Sequence, residues 1–315
     1  MIRYLKHNEI DKDKWDDCVR TSDHPKSDTL CWYLDIACPG WSALVYDDYK
    51  IVMPLPVCKK YGITYIYRPF FIQQLGIIGK DIKSDKIYDF LSKIPAKIKL
   101  ADIFLTETLQ LRAERLAIQG HRNYLLDINN SYNEVRKLYH RNCIRNINKA
   151  KVAGFKFHSA ISLEEFVGIL FNQIIEQAKN FGTREKEQFK LLIEESIKRN
   201  AGELVGIFNN NNRIVAAAFL IISFDRIMFK VCGSIDEGKK HQAMYMLVDE
   251  QIKRYSGQYM WFDFQGSDID GIAYFNSTFG AIPHNYYSLH INRLPGIVKF
   301  LSGKNRNNYS KMKPA

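Results

Sequence analysis

The sequence predicts an α/β (α+β) chain made of two similar units, each with a mixed β-sheet flanked by helices. Three observations lead to this prediction. The chain has 315 residues, enough for two domains of typical size. Two pairs of segments recur at a constant separation. Helical and strand patterns follow one another in the same order in both halves.

The internal repeat rests on two separate matches. Leu44–Val52 and Ile207–Val215 both read as a strand end, a polar turn, a basic residue and Ile-Val at the start of a second strand. His121–Asn129 and His284–Asn292 share His, Tyr, Leu, Ile and Asn in place. The offset is 163 positions in both cases, since 207 − 44 and 284 − 121 give the same value. Because one offset explains both matches, we infer a duplicated unit rather than two unrelated hairpins.

The second half shows the fuller set of elements. Ser162 opens a Ser-Leu-Glu-Glu pattern, which is typical of a capping box at a helix start. Apolar spacing then predicts a helix to about Asn180. Runs rich in Val, Ile and Phe between polar turns predict strands. The strands are expected at Phe155–His158, Glu203–Asn209, Ile214–Ser223, Arg226–Gly233, Tyr259–Gln265 and Asn285–Asn292, and the helices at Glu185–Arg199, Gln242–Tyr255 and Gly271–Phe279.

The first half repeats this order in shorter form. We expect strands at Ile2–Lys6, Ser42–Asp47, Ile51–Lys59, Thr64–Tyr67, Asp102–Thr106 and Asn123–Ile128, and helices at Glu9–Thr21, Asp28–Ala37, Ser84–Lys93 and Leu109–Ala117. A basic helix, Arg136–Lys151, is expected to bridge the halves. The predicted domains are therefore 1–129 and 154–294, with the bridge at 130–153 and a basic tail at 295–315.

Composition and charge narrow the function classes. The formal net charge is +11, and Arg136–Lys151 contains no acid, which indicates either a solvated helix face or an anion site. The six cysteines form no C-x-x-C pair and no cluster with His, so we expect free thiols and no metal. No apolar signal segment opens the chain, and no apolar run reaches the ~20 residues of a membrane helix. These features predict a cytoplasmic protein without a membrane span.

The element order resembles the GNAT fold, the fold of acyl-CoA N-acyltransferases. Two copies in one chain resemble the FemAB-type aminoacyltransferases. The first segment that carries this resemblance is the basic helix, with Arg145, Asn146, Ile147, Lys149, Ala150 and Gly154. The second comprises Phe262, Asp263, Phe264, Gln265, Gly266 and Ser267, followed by Gly271, Ile272, Tyr274, Phe275, Asn276, Phe279 and Gly280. The resemblance implies an N-acyltransferase or aminoacyltransferase that acts on a small-molecule or peptide amine.

The donor loop departs from the GNAT pattern. GNAT enzymes carry R/Q-x-x-G-x-G/A there, and its backbone N–H groups hold the CoA pyrophosphate at a helix N-terminus. This chain has a single Gly, Gly238, between Glu237 and Ala243. Acyl-CoA and aminoacyl-tRNA are therefore both retained as candidate donors, and tRNA is retained as a candidate partner. The candidate donor-binding residues are Gly233, Ser234, Gly238, Lys239, Lys240, His241 and Gln242.

The catalytic candidates follow from where GNAT sites lie, at the point where two parallel strands splay apart. Here those strands are Arg226–Gly233 and Tyr259–Gln265. Asp263 lies within an aromatic strand and, by alternation, shares a face with Gln265. A carboxylate there is either ion-paired or available to bind an amine or act as a base. Tyr274 is a candidate proton donor to the leaving group, with core packing as the alternative.

The acceptor candidates are Gln73, Gln74, Arg145 and Asn276. Gln73 and Gln74 follow a strongly aromatic segment and are expected to face an inter-domain cleft, because a buried amide needs partners. Asn276 stands where the FemAB-like pattern has a lysine associated with a phosphate-bearing cell-wall precursor, which favours a different acceptor. A non-catalytic RNA- or ligand-binding module that uses the basic helix is the alternative from another function class.

Overall fold

The computed structural model describes residues 1–106, 118–169, 182–266 and 268–295. The chain forms two compact units, Met1–His121 with Asn285–Ala315, and Arg122–His284. The predicted helix Leu109–Ala117, the predicted helix beyond residue 169, Ser267 and nearly all of the basic tail lie outside the described residues.

Unit 1 (Met1–His121 with Asn285–Ala315) contains two groups of strands. Strands β1 (Ile2–Leu5), β2 (Ser42–Tyr46), β3 (Ile51–Leu55) and β6 (Ile78–Gly79) form an antiparallel sheet in the order β1-β2-β3-β6. Strands β4 (Val57–Lys60), β5 (Ile63–Ile66), β7 (Ile98–Phe104) and β14 (Ile282–Asn292) follow one another in the order β4-β5-β7-β14, and only β5 and β7 are parallel. The helices are α1 (Lys12–Thr21), α2 (Cys31–Ala37) and α3 (Ser84–Ser92).

The single strand predicted at Ile51–Lys59 is wrong, because the structure divides it between two sheets. Pro56 separates β3 from β4 and has no N–H with which to continue a ladder. β3 pairs with β2, whereas β4 pairs with β5. The chain therefore changes sheet at the proline.

Unit 2 (Arg122–His284) contains a mixed sheet in the order β8-β13-β12-β11-β10-β9. Its strands are β8 (Ile118–Asp127), β9 (Lys156–His158), β10 (Gly202–Phe208), β11 (Ile214–Ile222), β12 (Arg226–Ser234) and β13 (Trp261–Gly266). Its helices are α4 (Tyr132–Arg136), α5 (Arg141–Val152), α6 (Thr183–Lys198), α7 (Asp236–Lys240), α8 (Ala243–Tyr255) and α9 (Asp270–Ser277), and residues 163–169 are also helical. Among these described strands, only β12 and β13 are parallel neighbours.

The predicted basic helix begins later than expected and belongs to the core of unit 2. The structure breaks Arg136–Lys151 into the end of α4 and the whole of α5, which starts at Arg141. The break is fixed by a hydrogen bond from the N–H of His140 to the carbonyl of Thr278, at 2.8 Å. Cys143, Ile147 and Ala150 then form a buried stripe with helical spacing that packs into the same cluster as α8.

The constant offset reappears in the positions of the strands. Ile51 and Ile214 each begin a strand, as do Ile63 and Arg226, and Ile98 and Trp261, and all three pairs are separated by 163 positions. This agreement supports the duplicated unit inferred from the sequence.

Each unit takes its last strand from the other half of the sequence. Residues 123–127 of β8 pair antiparallel with β13 in unit 2. Residues 288–292 of β14 pair antiparallel with β7 in unit 1. The compact units therefore exchange these final strands relative to the boundaries 1–129 and 154–294.

Candidate functional site

The parallel strands β12 and β13 of unit 2 separate after a short contact. Only Arg226–Met228 pair with Trp261–Asp263. β12 continues to Ser234 along β11, and no described strand pairs with its other side beyond Met228. We call the open side of β12 from Lys230 to Ser234, with the end of β13 from Phe264 to Gly266, the notch.

Irregular backbone on both strands produces this separation. On β12, Phe229 and Val231 pair with consecutive residues of β11, so Lys230 is the extra residue of a bulge. On β13, the register with β8 shifts between Asp263 and Gly266. The notch therefore lies between two irregular stretches of backbone, at the two strands that the sequence analysis expected to splay apart.

Asp263 is fully buried and hydrogen-bonded on the strand beside the notch. Its Oδ1 accepts hydrogen bonds from Nδ2 of Asn123 at 3.2 Å and from the N–H of Gln265 at 2.9 Å. Its Oδ2 lies 3.5 Å from a guanidinium nitrogen of Arg226, whose side chain is 2% exposed. Of the two alternatives from the sequence analysis, the ion-paired carboxylate therefore describes these surroundings. The hydrogen bond from the N–H of Gln265 to Asp263 holds the irregular backbone of β13 in place.

Gln265 and Lys230 meet at the mouth of the notch. Gln265 has a φ of +62°, in the left-handed region, so the alternation expected for Asp263 and Gln265 does not extend through the bulge. Its Oε1 accepts a hydrogen bond from Nζ of Lys230 at 3.3 Å. Both side chains are half-buried. The pair thus joins the two strands where their backbones have parted.

The predicted donor loop folds as a short helix. Gly233 and Ser234 end β12, and α7 follows at Asp236–Lys240. A Cβ at Gly238 would overlap the carbonyl oxygen of Val215, so this glycine is required for close packing of α7 on β11. Glu237 accepts two contacts from Nδ2 of Asn209, at 2.9 and 3.0 Å.

The four residues after Gly238 lie at the junction of α7 and α8. Lys239 and Lys240 are exposed, and Lys239 lies 3.4 Å from Asp236. The ring of His241 contacts Phe155 edge-on, with centroids 5.8 Å apart. Gln242 has a φ of +63° and immediately precedes α8, and its side chain donates to the carbonyl of Lys239 at 3.0 Å. Cationic side chains thus stand near the start of α8, whereas the backbone N–H groups of Lys239, His241 and Gln242 bond within the turn.

The structure connects two of the predicted residues through one that sequence reasoning missed. Nδ2 of Asn142 donates to the hydroxyl of Tyr274 at 3.3 Å. Arg145 donates to Oδ1 of Asn142 at 2.6 Å. Tyr274 is 55% exposed. A catalytic candidate on α9 and an acceptor candidate on α5 therefore share one hydrogen-bonded row.

Asn276, which replaces the lysine of the FemAB-like pattern, is buried. It is 3% exposed, and its Nδ2 has no hydrogen-bond partner among the described residues. The side chain thus points into the packed side of α9, beside Ala273 and away from the exposed Tyr274.

Gln73 and Gln74 lie in unit 1. Gln74 is 2% exposed and accepts a hydrogen bond from Nζ of Lys26 at 2.9 Å. Its Nε2 donates to Oε1 of the half-buried Gln73 at 3.3 Å. The partners expected for a buried amide are therefore present, and an acceptor role for both residues stays a prediction.

Unit 1 contains the equivalent parallel pair, β5 and β7. There, the segment at Leu75 and Gly76 lies along the end of β7. The N–H of Leu75 donates to the carbonyl of Phe104 at 2.7 Å. A Cβ at Gly76 would lie 3.0 Å from Cα of Leu105. This backbone thus occupies in unit 1 a position like the one that is open in unit 2.

No group of three or more His, Cys, Asp or Glu side chains among the described residues is placed to hold a metal ion. Among the described helices, none combines the length and hydropathy needed to cross a bilayer.

Comparisons with known proteins identify the fold. No family model and no curated protein matches the sequence. The solved structure of FemX is similar with a TM-score of 0.64 and 11% identity, over 94% of this chain and 99% of that chain. The chain has the tandem GNAT fold.

Two other solved structures share the GNAT fold with this chain. L-PGS from Bacillus licheniformis has a TM-score of 0.52 and 12% identity, over 93% of this chain and 97% of that chain. N-myristoyltransferase of Saccharomyces cerevisiae, with bound myristoyl-CoA, has a TM-score of 0.51 and 10% identity, over 92% and 79%. The resemblance to GNAT and FemAB-type proteins is thus confirmed at the level of fold, a fold that acyltransferases use.

Proposed function

We propose that the protein is an N-acyltransferase or aminoacyltransferase that moves an acyl group from an activated donor to an amine, with its chemistry at the notch of unit 2. The observation that carries this proposal is the separation of β12 from β13 after three paired residues. Polar backbone groups along the open side of β12 offer hydrogen bonds to an extended donor, as an added strand would. The corresponding position of unit 1 is filled by Leu75.

Two donor classes fit the notch, and the loop after β12 bears on the choice. A CoA thioester needs a place for its pyrophosphate, and Lys239, Lys240 and His241 supply cationic or polar side chains there. However, Gly238 packs on Val215, so the loop has no glycine left to bring its backbone close to a phosphate. An aminoacyl-tRNA has no CoA pyrophosphate and does not require this loop to bind one. Arg145, Tyr274 and Asn276 are the acceptor-side candidates within unit 2.

Mass spectrometry of the intact protein under native conditions, followed by denaturation, tests the donor class directly. A released CoA ester would support the thioester, and a released tRNA the aminoacyl ester. Transfer is then assayed with acetyl-CoA, myristoyl-CoA and a charged tRNA pool, each against a mixture of primary amines. Absence of transfer with all three donors would contradict the proposal.

A second candidate function, RNA binding without catalysis, is favoured by the exposed side of α5. Arg141, Arg145 and Lys149 follow at helical spacing of four, so they form one stripe. None of the three lies within 4.0 Å of a carboxylate in the described chain. Phosphate contacts make affinity fall linearly with salt on logarithmic axes. A steep salt dependence of tRNA binding that is lost on neutralising this stripe, together with no acyl transfer, would favour this candidate.

A further inference from the structure

Lys230 is the first charged residue of β12 after the point where this strand leaves β13. It is the extra residue of the β12 bulge, one position after the buried Phe229. A bulge turns a side chain away from its regular direction on the sheet. Here it sends the Lys230 ammonium toward β13, where Gln265 accepts a hydrogen bond at 3.3 Å.

Gln265 is held for this contact by a chain of buried groups. Its N–H donates to Oδ1 of Asp263 at 2.9 Å, which stabilises the left-handed backbone at φ +62°. Asp263 is itself fixed by Asn123 and lies beside Arg226. The backbone of the residue that contacts the lysine is therefore hydrogen-bonded to a buried carboxylate.

Two of the residues with left-handed backbone in unit 2 are glutamines. Four non-glycine residues described there have positive φ: Asn200, Asn212, Gln242 and Gln265. Asn tolerates this conformation in turns, whereas Gln has no such preference. The two glutamines lie at the junction of α7 and α8 and at the end of β13, on either side of the open stretch of β12. Such strain persists where the surrounding structure fixes it, and it often marks functional sites.

The chemistry of acyl transfer needs a cation or hydrogen-bond donor at this point. The acceptor nitrogen forms a bond to the acyl carbon, and the carbonyl oxygen becomes an oxyanion. The bond from that carbon to the donor's sulfur or oxygen then breaks, and the proton of the amine ends on this leaving atom. A lysine ammonium is a cation with N–H donors, and at the mouth of the notch one of these N–H groups donates to Gln265.

We propose that Lys230 is a catalytic residue whose ammonium stabilises the oxyanion formed at the notch, and that Gln265 is its positioning residue. The inference rests on the proposed acyl transfer and names a residue that the fold alone does not assign. It also gives a role to the hydrogen bond between the side chains of Lys230 and Gln265, which links β12 and β13 beyond their last paired backbone residues.

The test compares Lys230→Met with wild type in the transfer assay, using whichever of acetyl-CoA, myristoyl-CoA or charged tRNA wild type accepts. We expect kcat to fall about 10²- to 10³-fold with KM nearly unchanged, because the contact is made chiefly in the transition state. Lys230→Arg should recover part of kcat. Gln265→Gly, which accepts a positive φ without strain, should lower kcat about tenfold while leaving the melting temperature at or above that of wild type.

The matched control is Lys198→Met, which removes an equal charge from a side chain that is 79% exposed on α6 and should leave kcat unchanged. A Lys230→Met enzyme with kcat within threefold of wild type would overturn the role of Lys230 and leave the proposed function standing. A rise in KM alone would also overturn it, since it would indicate ground-state binding only. Inactive wild type with every donor would refute the proposed function and this inference with it.

Discussion

Gly238→Ala distinguishes a packing glycine from a phosphate-binding glycine. The new Cβ would overlap the carbonyl oxygen of Val215 and lie 3.0 Å from its carbonyl carbon. Relief requires α7 to move away from β11, which strains the hydrogen bond from the N–H of Ile235 to that same oxygen, now 3.1 Å long. A phosphate-binding glycine would instead affect donor binding and spare stability.

The magnitude follows from three terms. Overpacking typically costs about 1–3 kcal/mol. Losing the hydrogen bond of Ile235 costs about 1 kcal/mol. Replacing Gly by Ala within a helix raises the free energy of unfolding by about 1 kcal/mol, which offsets part of this loss. We therefore expect Gly238→Ala to lower the free energy of unfolding by about 1–3 kcal/mol, or the melting temperature by about 2–12 °C for a unit of this size.

Thermal and urea unfolding followed by circular dichroism measure this effect. The control is Gly271→Ala, on α9, where nothing lies within 4 Å of the added Cβ. That variant should equal wild type or exceed its stability by up to about 1 kcal/mol. A Gly238→Ala protein as stable as Gly271→Ala would refute the packing argument, and weaker donor binding in it would restore the phosphate role.

Three further predictions concern stability. Asp263→Asn should lower the free energy of unfolding by about 2 kcal/mol, less than the loss of a sole partner, because Arg226 keeps its ion pair with Asp225, the residue that precedes it in the chain. An unchanged urea midpoint would contradict this. Ser162→Ala removes the acceptor for a helix N–H at 3.1 Å and should cost about 1 kcal/mol in the same measurement, and no loss would exclude the cap. Burial raises the pKa of Cys18 to about 11 and that of Cys143 to about 12, because the folded protein disfavours the charged thiolate. The neutral thiols therefore contribute fully to the free energy of unfolding below pH 9, and this contribution is lost as pH rises through 11–12. Urea midpoints at pH 8 and pH 11.5 check this, and equal values would count against it.

Local signals made much of the fold predictable. The strand starts at Ile51 and Ile214 follow from apolar runs bounded by turns, and the spacing of 163 ties the halves together, whereas β7 begins at Ile98 and not at the predicted Asp102. The capping box at Ser162 is confirmed, because Glu165 accepts its N–H at 2.8 Å and returns its own N–H to the serine hydroxyl. The missing N–H of Pro56 does not by itself predict the strand split, because Pro54 lacks an N–H as well and lies within β3.

The candidate site was only partly predictable, because its key features depend on contacts distant in sequence. The splay was expected at the right strands, and Asp263 and Gln265 lie there. Lys230 was missed, since nothing local marks the residue of a bulge. The ion pair between Arg226 and Asp263 joins positions on two strands separated by α7 and α8. Such pairings need the register, which the sequence pattern does not contain.

The exchange of final strands sets an order for folding during synthesis. The described strands from β8 to β13 in unit 2 have all been made once residue 266 has left the ribosome, since β8 was made long before. Unit 1 must wait for residues 288–292, although most of it is made first, and Ser288 pairs with Phe104 across 184 positions. Until then the edge of β7 stands unpaired and is available to other chains. The half of the protein that is translated first is therefore the half that is completed last.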